Sequence, residues 1–308
     1  SGKNASRHGT QTDNWICLKN KESKKYMETT NQKLNALFEK WKEERHYSDD
    51  VFVSDGLVYK KAYRKIKWEE EIAGSEEDMA VEELWNTSPL RIAFLLKDTN
   101  DSGKDDVRKW MVLDTPESEQ SRNLAGGRVG KTGFLPNIAR ILYGLRYIKQ
   151  LKYADFEEFK SRYKNQIVDA WNELPFAFVE TKKVAGEKEV DVKIIKKFLE
   201  IDGDLLKQEL DYLQPNVIVC SCDDAQFDFI TRNYLADEYI EECDKIEYAY
   251  DDAEFVDCCL WYYKRRNLAV VKSYHPTNRG KIQWTIFERV VSPFRKLLEK
   301  HPEFFENF

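Results

Sequence analysis

At 308 residues the chain can bury a large core, and its 13% aromatic and 34% charged content excludes general disorder while implying a well-solvated surface. Its net charge of −6 carries no global basic signature, so nucleic-acid binding would need a local cationic patch. No apolar run approaches the ~18 residues that span a bilayer, and no signal peptide is visible. Cys17, Cys220, Cys222, Cys243, Cys258 and Cys259 follow no paired CxxC spacing and have only four histidines beside them. A structural zinc or an iron–sulfur cluster is therefore not expected, and reduced thiols in a cytoplasm are.

Residues 1–20 are polar and are set aside from the fold. Between Lys24 and Arg45 the apolar positions Tyr26, Leu34, Leu37, Phe38 and Trp41 recur at helical spacing. Val51 to Val58 reads as a short extended segment. Lys60 to Glu83 is heavily charged and broken at Gly74-Ser75, which suggests one or two surface helices. Arg91 to Gly103, RIAFLLKDTNDSG, begins as an unbroken apolar run over 92–96, the pattern of a strand buried on both faces. It ends in Asp98, Asn100 and Asp101. Ligands of open α/β sheets sit beyond the carboxyl ends of such strands, so Asp98 is a candidate for chemistry.

From Asp105 to Lys131 the pattern is irregular and includes Trp110. Ala125-Gly-Gly-Arg-Val-Gly-Lys131-Thr132 fits a relaxed phosphate-loop pattern with Ala at the first glycine. A phosphate loop follows a buried strand, whereas 115–124 is polar, so a basic glycine-rich loop is the better reading. Pro136 marks the start of a helix running to Tyr147, and Phe156 to Trp171 reads as another. Phe176 to Val179 is a second buried strand, ending in Glu180-Thr181-Lys182-Lys183. A long amphipathic helix spans Val190 to Leu213.

Asn216 to Cys220 is a third buried strand, followed by a helix over Ala225 to Leu235. Glu247 to Tyr263, acidic and aromatic, reads as edge strands. Leu268 to Lys272 is a fourth buried strand, ending in Ser273-Tyr-His275-Pro-Thr-Asn278-Arg279-Gly-Lys281. Imidazole at such a position can donate a hydrogen bond to charge that develops in a transition state. Lys182, Lys183, Lys264, Arg265, Arg266, Lys272, Arg279 and Lys281 could form one cationic face. A closing helix covers Trp284 to Glu299. Strands alternating with helices imply an α/β fold, a three-layer α/β/α sandwich on a mostly parallel sheet of four or five strands. The division read from the sequence is an N-terminal tail and helical extension over 1–50, then an α/β domain over 51–308.

The set of strand ends resembles the uracil-DNA glycosylase superfamily, over roughly residues 51 to 298. Leu95-Leu-Lys-Asp98-Thr-Asn100 stands at the family's water-activating motif, without its usual Gly and Pro. Phe178-Val179-Glu180 stands at the base-reading strand end, with Glu where the family has Asn. Ser273 to Arg279 stands at the HPS-type motif and its wedge loop, and Leu205 to Val219 resembles the helix and strand before it. The four-cysteine cluster of some members is absent.

The resemblance implies a monofunctional DNA glycosylase that flips a nucleotide out of the stack, with neither metal nor other cofactor. Asp98 would position water and His275 would hydrogen-bond the departing base. Glu180, Asn100 and Trp110 would recognise that base, while Asn278, Arg279, Lys281, Lys182 and Lys131 would hold DNA. Asn100 replaces the aromatic ring that excludes C5 substituents in uracil-specific members. Glu180 can accept from the N4 amine of cytosine, and burial beside Asp98 would favour its neutral form. Both departures point to a C5-substituted cytosine, a base type found in phage DNA, which makes a defence role conceivable. Alternatives are a uracil or mismatch repair glycosylase, a non-catalytic nucleic-acid-binding relative, and a nucleoside-processing α/β enzyme. A monomer is expected, with DNA as partner and no membrane.

Overall fold

The computed structural model describes residues 28–60, 71–97, 99, 106–110, 133–186, 191–221, 223–236, 243–249, 256–277 and 283–306. Helix α1 (Thr30–Arg45) opens on a capping box, in which Thr29 accepts from the Gln32 N–H and Gln32 reaches back to the Thr29 N–H. Strand β1 (Gly56–Leu57) and helix α2 (Glu76–Thr87, capped by Ser75) lead to β2 (Ile92–Leu96). The one-turn α3 (Val107–Trp110) and α4 (Phe134–Arg146) follow. The helix expected over 156–171 is two helices, α5 (Phe156–Arg162) and α6 (Lys164–Glu173). They break at Tyr163, whose φ of −108° and ψ of 17° leave the helical region.

Strand β3 (Phe176–Glu180), helix α7 (Val192–Leu213), strand β4 (Val217–Cys220) and helix α8 (Asp223–Phe229) come next. Helix α8 continues as a π turn over Ile230–Tyr234. The chain closes with β5 (Cys243–Ala249), β6 (Val256–Tyr263), β7 (Leu268–Lys272) and α9 (Gln283–Lys300). Among the described residues these strands form one mixed sheet in the order β1-β3-β2-β4-β7-β6-β5.

The four apolar runs read from the sequence are its parallel centre, β3-β2-β4-β7. The expected count of four or five strands falls short of the observed seven. The hairpin β5–β6 extends one edge antiparallel, and the two-residue β1 pairs antiparallel with β3 at the other. β1 is too short to leave a period-2 signature.

Alternate side chains of the central strands enter two apolar clusters. Phe94, Leu96, Phe176, Phe178, Val219 and Val271 pack with α4, α5, α6 and α9. Ala93, Leu95, Ala177, Val179, Ile218 and Val270 pack with α1, α2, α7 and α8. Helices therefore cover both faces. Leu34, Leu37, Phe38 and Trp41 of α1 are buried in the second cluster, each worth about 1.5–3 kcal/mol on full burial. Asn31 ties α1 to β1, exchanging hydrogen bonds with the Leu57 carbonyl at 3.2 Å and the Leu57 N–H at 3.1 Å. No helix among the described residues is long and apolar enough to cross a membrane.

Candidate functional site

The carboxyl ends of the central strands lie side by side. Glu180 is the register partner of Leu96, and the ladder continues through Ser221 N–H to Leu95 O and Ser273 N–H to Cys220 O. One row across four strands thus reads Glu180, Leu96, Ser221, Ser273. Side chains alternate along a strand, so Glu180, Ser221 and Ser273 share the face of Phe178, Val219 and Val271. Glu180 and Ser273 are both buried.

Two residues beyond Ser273 stands His275. Its ring lies 5.9 Å from that of Phe134, and Phe134 lies 5.6 Å from Phe178. Phe134, in the first turn of α4, therefore bridges from the His275 loop to the strand that ends in Glu180. β3 and β7 are three strand spacings apart, roughly 14 Å at about 4.8 Å per spacing. That gap accommodates a planar heterocycle with a side chain on each side.

The imidazole is held in one orientation. Its Nδ1 lies 2.7 Å from the Thr277 hydroxyl and accepts the Thr277 N–H at 3.3 Å. A ring nitrogen that accepts a backbone N–H carries no proton itself, so the neutral ring has its N–H at Nε2. Burial, aided by the positive charge of Lys97, lowers the His275 pKa to about 4. At neutral pH His275 is an uncharged donor. The loop that carries it is tied to α4, where Asn137 Nδ2 donates to the Pro276 carbonyl at 2.7 Å. Arg140 donates in turn to Asn137 Oδ1 at 2.9 Å, and burial lowers the guanidinium pKa to about 10.

The end of β2 is held from β3. The N–H groups of Thr181 and Lys182 donate to Leu96 O and Lys97 O, and Gly186 N–H donates to Thr99 O. Gln226 of α8 donates to Leu96 O at 2.6 Å and to the Thr181 hydroxyl at 2.5 Å. Among the described residues, Thr99 Oγ1, Ser221 Oγ and Gln226 Oε1 are buried with no hydrogen-bond partner. Buried polar atoms without partners are uncommon in folded proteins; their concentration at these strand ends suits a polar ligand.

Of the residues named from the sequence, Glu180 and His275 stand at the ends of parallel strands with Phe134 between them. Asp98, Asn100, Lys131, Asn278, Arg279 and Lys281 lie outside the described residues, as does the side chain of Trp110. Lys182 differs from expectation. It is buried, its ammonium donates to Val184 O at 2.6 Å, and it lies 5.7 Å from the Phe198 ring centroid. Its ammonium is turned toward the backbone of its own loop. Lys183, grouped with it in the expected cationic face, is fully buried. Lys264 pairs with Glu303 and Lys272 with Asp224.

Compared with known families and with curated proteins, the sequence matches none significantly. Among the described residues no group of three or more His, Cys, Asp and Glu side chains is placed to hold a metal ion. Sequence reasoning missed Phe134, Asn137 and Gln226. Only Phe134 had a signal, as an aromatic residue directly after Gly133 at the start of a helix.

Proposed function

We propose that the chain is a DNA glycosylase of the uracil-DNA glycosylase kind, built on a three-layer α/β/α sandwich, that removes a C5-substituted cytosine. The observation that carries this reading is the pairing of Glu180 and His275 at the carboxyl ends of two parallel strands, with Phe134 spanning the gap. A flipped base between them would stack on an aromatic ring and meet a carboxyl group on its Watson–Crick edge. Glu180 would accept from N4 and give a proton to N3, which an Asn at that position cannot do. His275, neutral and with its hydrogen on Nε2, would donate to O2 as the glycosidic electron pair moves onto the base.

Asp98 would take the proton from the attacking water as its oxygen bonds to C1′ of the sugar. The base then leaves neutral, and the two carboxyl groups return to their starting states through solvent. Asn100 in place of an aromatic ring would leave room for the C5 substituent. Asn278, Arg279, Lys281 and Lys131 would contact the nucleic acid.

The test is incubation of the purified protein with duplexes and single strands carrying uracil, cytosine, 5-methylcytosine or 5-hydroxymethylcytosine, followed by detection of abasic sites. Release of a substituted cytosine, lost in Asp98→Ala and His275→Ala, is expected. Release of uracil alone would overturn the substrate assignment. Salt-dependent DNA binding without any abasic product would point instead to a non-catalytic nucleic-acid-binding protein.

A further inference from the structure

The segment before β1 runs antiparallel to β3 and its continuation, pairing at both ends. Gly56 is the register partner of Phe178, and Phe52 bridges to Val184. Six residue steps separate Phe178 from Val184, where only four separate Gly56 from Phe52. The excess bulges the chain at Glu180 to Lys182. Bulges re-aim side chains and recur beside active sites.

Within the bulge, Thr181 and Lys182 turn their N–H groups to β2. The Glu180 N–H donates instead to a side chain, Asp55 Oδ2, at 2.5 Å. A carboxylate thus substitutes for a rung of the ladder. The same oxygen receives the ammonium of Lys183, which also lies 2.7 Å from Glu209 Oε2. Asp55, Lys183 and Glu209 are all fully buried. The Phe38 and Trp41 ring centroids lie 5.2 and 5.4 Å from the Lys183 ammonium.

We infer that Asp55, fixed by Lys183 and Glu209, is the positioning residue for Glu180. This rests on the reading of Glu180 as the group that recognises the base. Burial and the neighbouring Asp55 raise the Glu209 pKa well above the usual carboxyl range, against the opposing pull of Lys183. Apolar residues would fill this space at equal or lower cost. What they cannot supply is an acceptor for the Glu180 N–H. Asp55 sits with α1 and α7 on the opposite face from the Glu180 side chain, so it acts through the backbone.

The experiment compares three variants by melting temperature, DNA affinity and single-turnover base release. The duplex is the one whose substituted cytosine the wild type releases. Asp55→Ala is expected to lower the rate by roughly 100-fold, as for an ångström-scale misplacement of a reacting group, with DNA affinity retained. Asp55→Asn restores an acceptor for the Glu180 N–H and keeps the Glu209–Lys183 contact, and is expected to recover most of the rate. The triple variant Asp55→Leu, Lys183→Met, Glu209→Leu removes the buried charges and is expected to fold yet release base as slowly as Asp55→Ala.

A folded triple variant with the wild-type rate overturns the inference. Exchange of the Glu180 amide hydrogen, followed by NMR, separates it from the functional reading. If the wild type releases no base, the function fails, while fast exchange in the folded triple variant against protection in Asp55→Asn still upholds the positioning role. Equal protection in both overturns it.

Discussion

Asn137 and Pro276 join the first turn of α4 to the loop after β7, through a buried hydrogen bond of 2.7 Å. The helix that brings Phe134 to the site thereby also fixes His275. Asn137→Ala leaves the Pro276 carbonyl without this donor, a loss of about 1–3 kcal/mol for a buried polar group. Urea denaturation should show that loss. The His275 ring resonances should broaden or shift while those of distant residues such as His46 do not. An unchanged denaturation midpoint would mean that solvent replaces the bond.

Lys183 supplies the positive charge between Asp55 and Glu209. Although burial pulls the ammonium pKa down, the carboxyl groups outweigh it and the pKa is raised. Lys183→Met alone strands a carboxylate in the core, and breaking one side of a buried pair costs about 3–5 kcal/mol. Urea denaturation of both proteins at neutral pH checks this, and an unchanged midpoint would contradict it.

Gly56 turns the chain from Asp55 into β1 with φ of +129°. A Cβ there would stand 2.5 Å from Leu34 Cδ1 and 2.8 Å from Asn31 Oδ1. Gly56→Ala is expected to cost about 1–3 kcal/mol in backbone strain, with the crowding of α1 added. Gly133, also at positive φ, has among the described residues nothing nearer than Pro136 Cδ at 3.9 Å. Gly133→Ala should therefore be the milder of the two in the same denaturation assay.

The four central strands were legible because strands buried on both faces leave unbroken apolar runs, as in 92–96 and 268–271. The strand-end positions of Glu180 and His275 were legible because Glu180 directly follows such a run and His275 stands in the short polar stretch after another. β1 falls within the extended segment read over Val51 to Val58, but its place at the sheet edge was not legible, since a side chain, Asp55, makes part of its pairing. Asn137, Gln226 and Asp55 owe their roles to contacts with residues more than 100 positions away, and no local pattern records that. The burial of Lys182 was not legible for the converse reason. A lysine after a strand resembles a solvated cation until the fold supplies the Val184 carbonyl within its reach.

His275 offers a test that needs no substrate. Folding lowers its pKa from the ordinary 6.5 to about 4. Between those values the unfolded chain binds a proton that the folded chain refuses, so acid favours unfolding. This contribution is fully present above pH 6.5, declines as pH falls toward about 4, and is exhausted below that. His275→Gln should therefore lose less stability than the wild type between pH 7 and pH 4.5, although other groups titrate in both. Lys97→Gln removes a charge that disfavours the imidazolium and should raise the His275 titration midpoint. NMR titration of the ring reads both effects. A wild-type midpoint near 6.5 would show that the ring is solvated, and would remove the argument that it stays neutral when a base must leave.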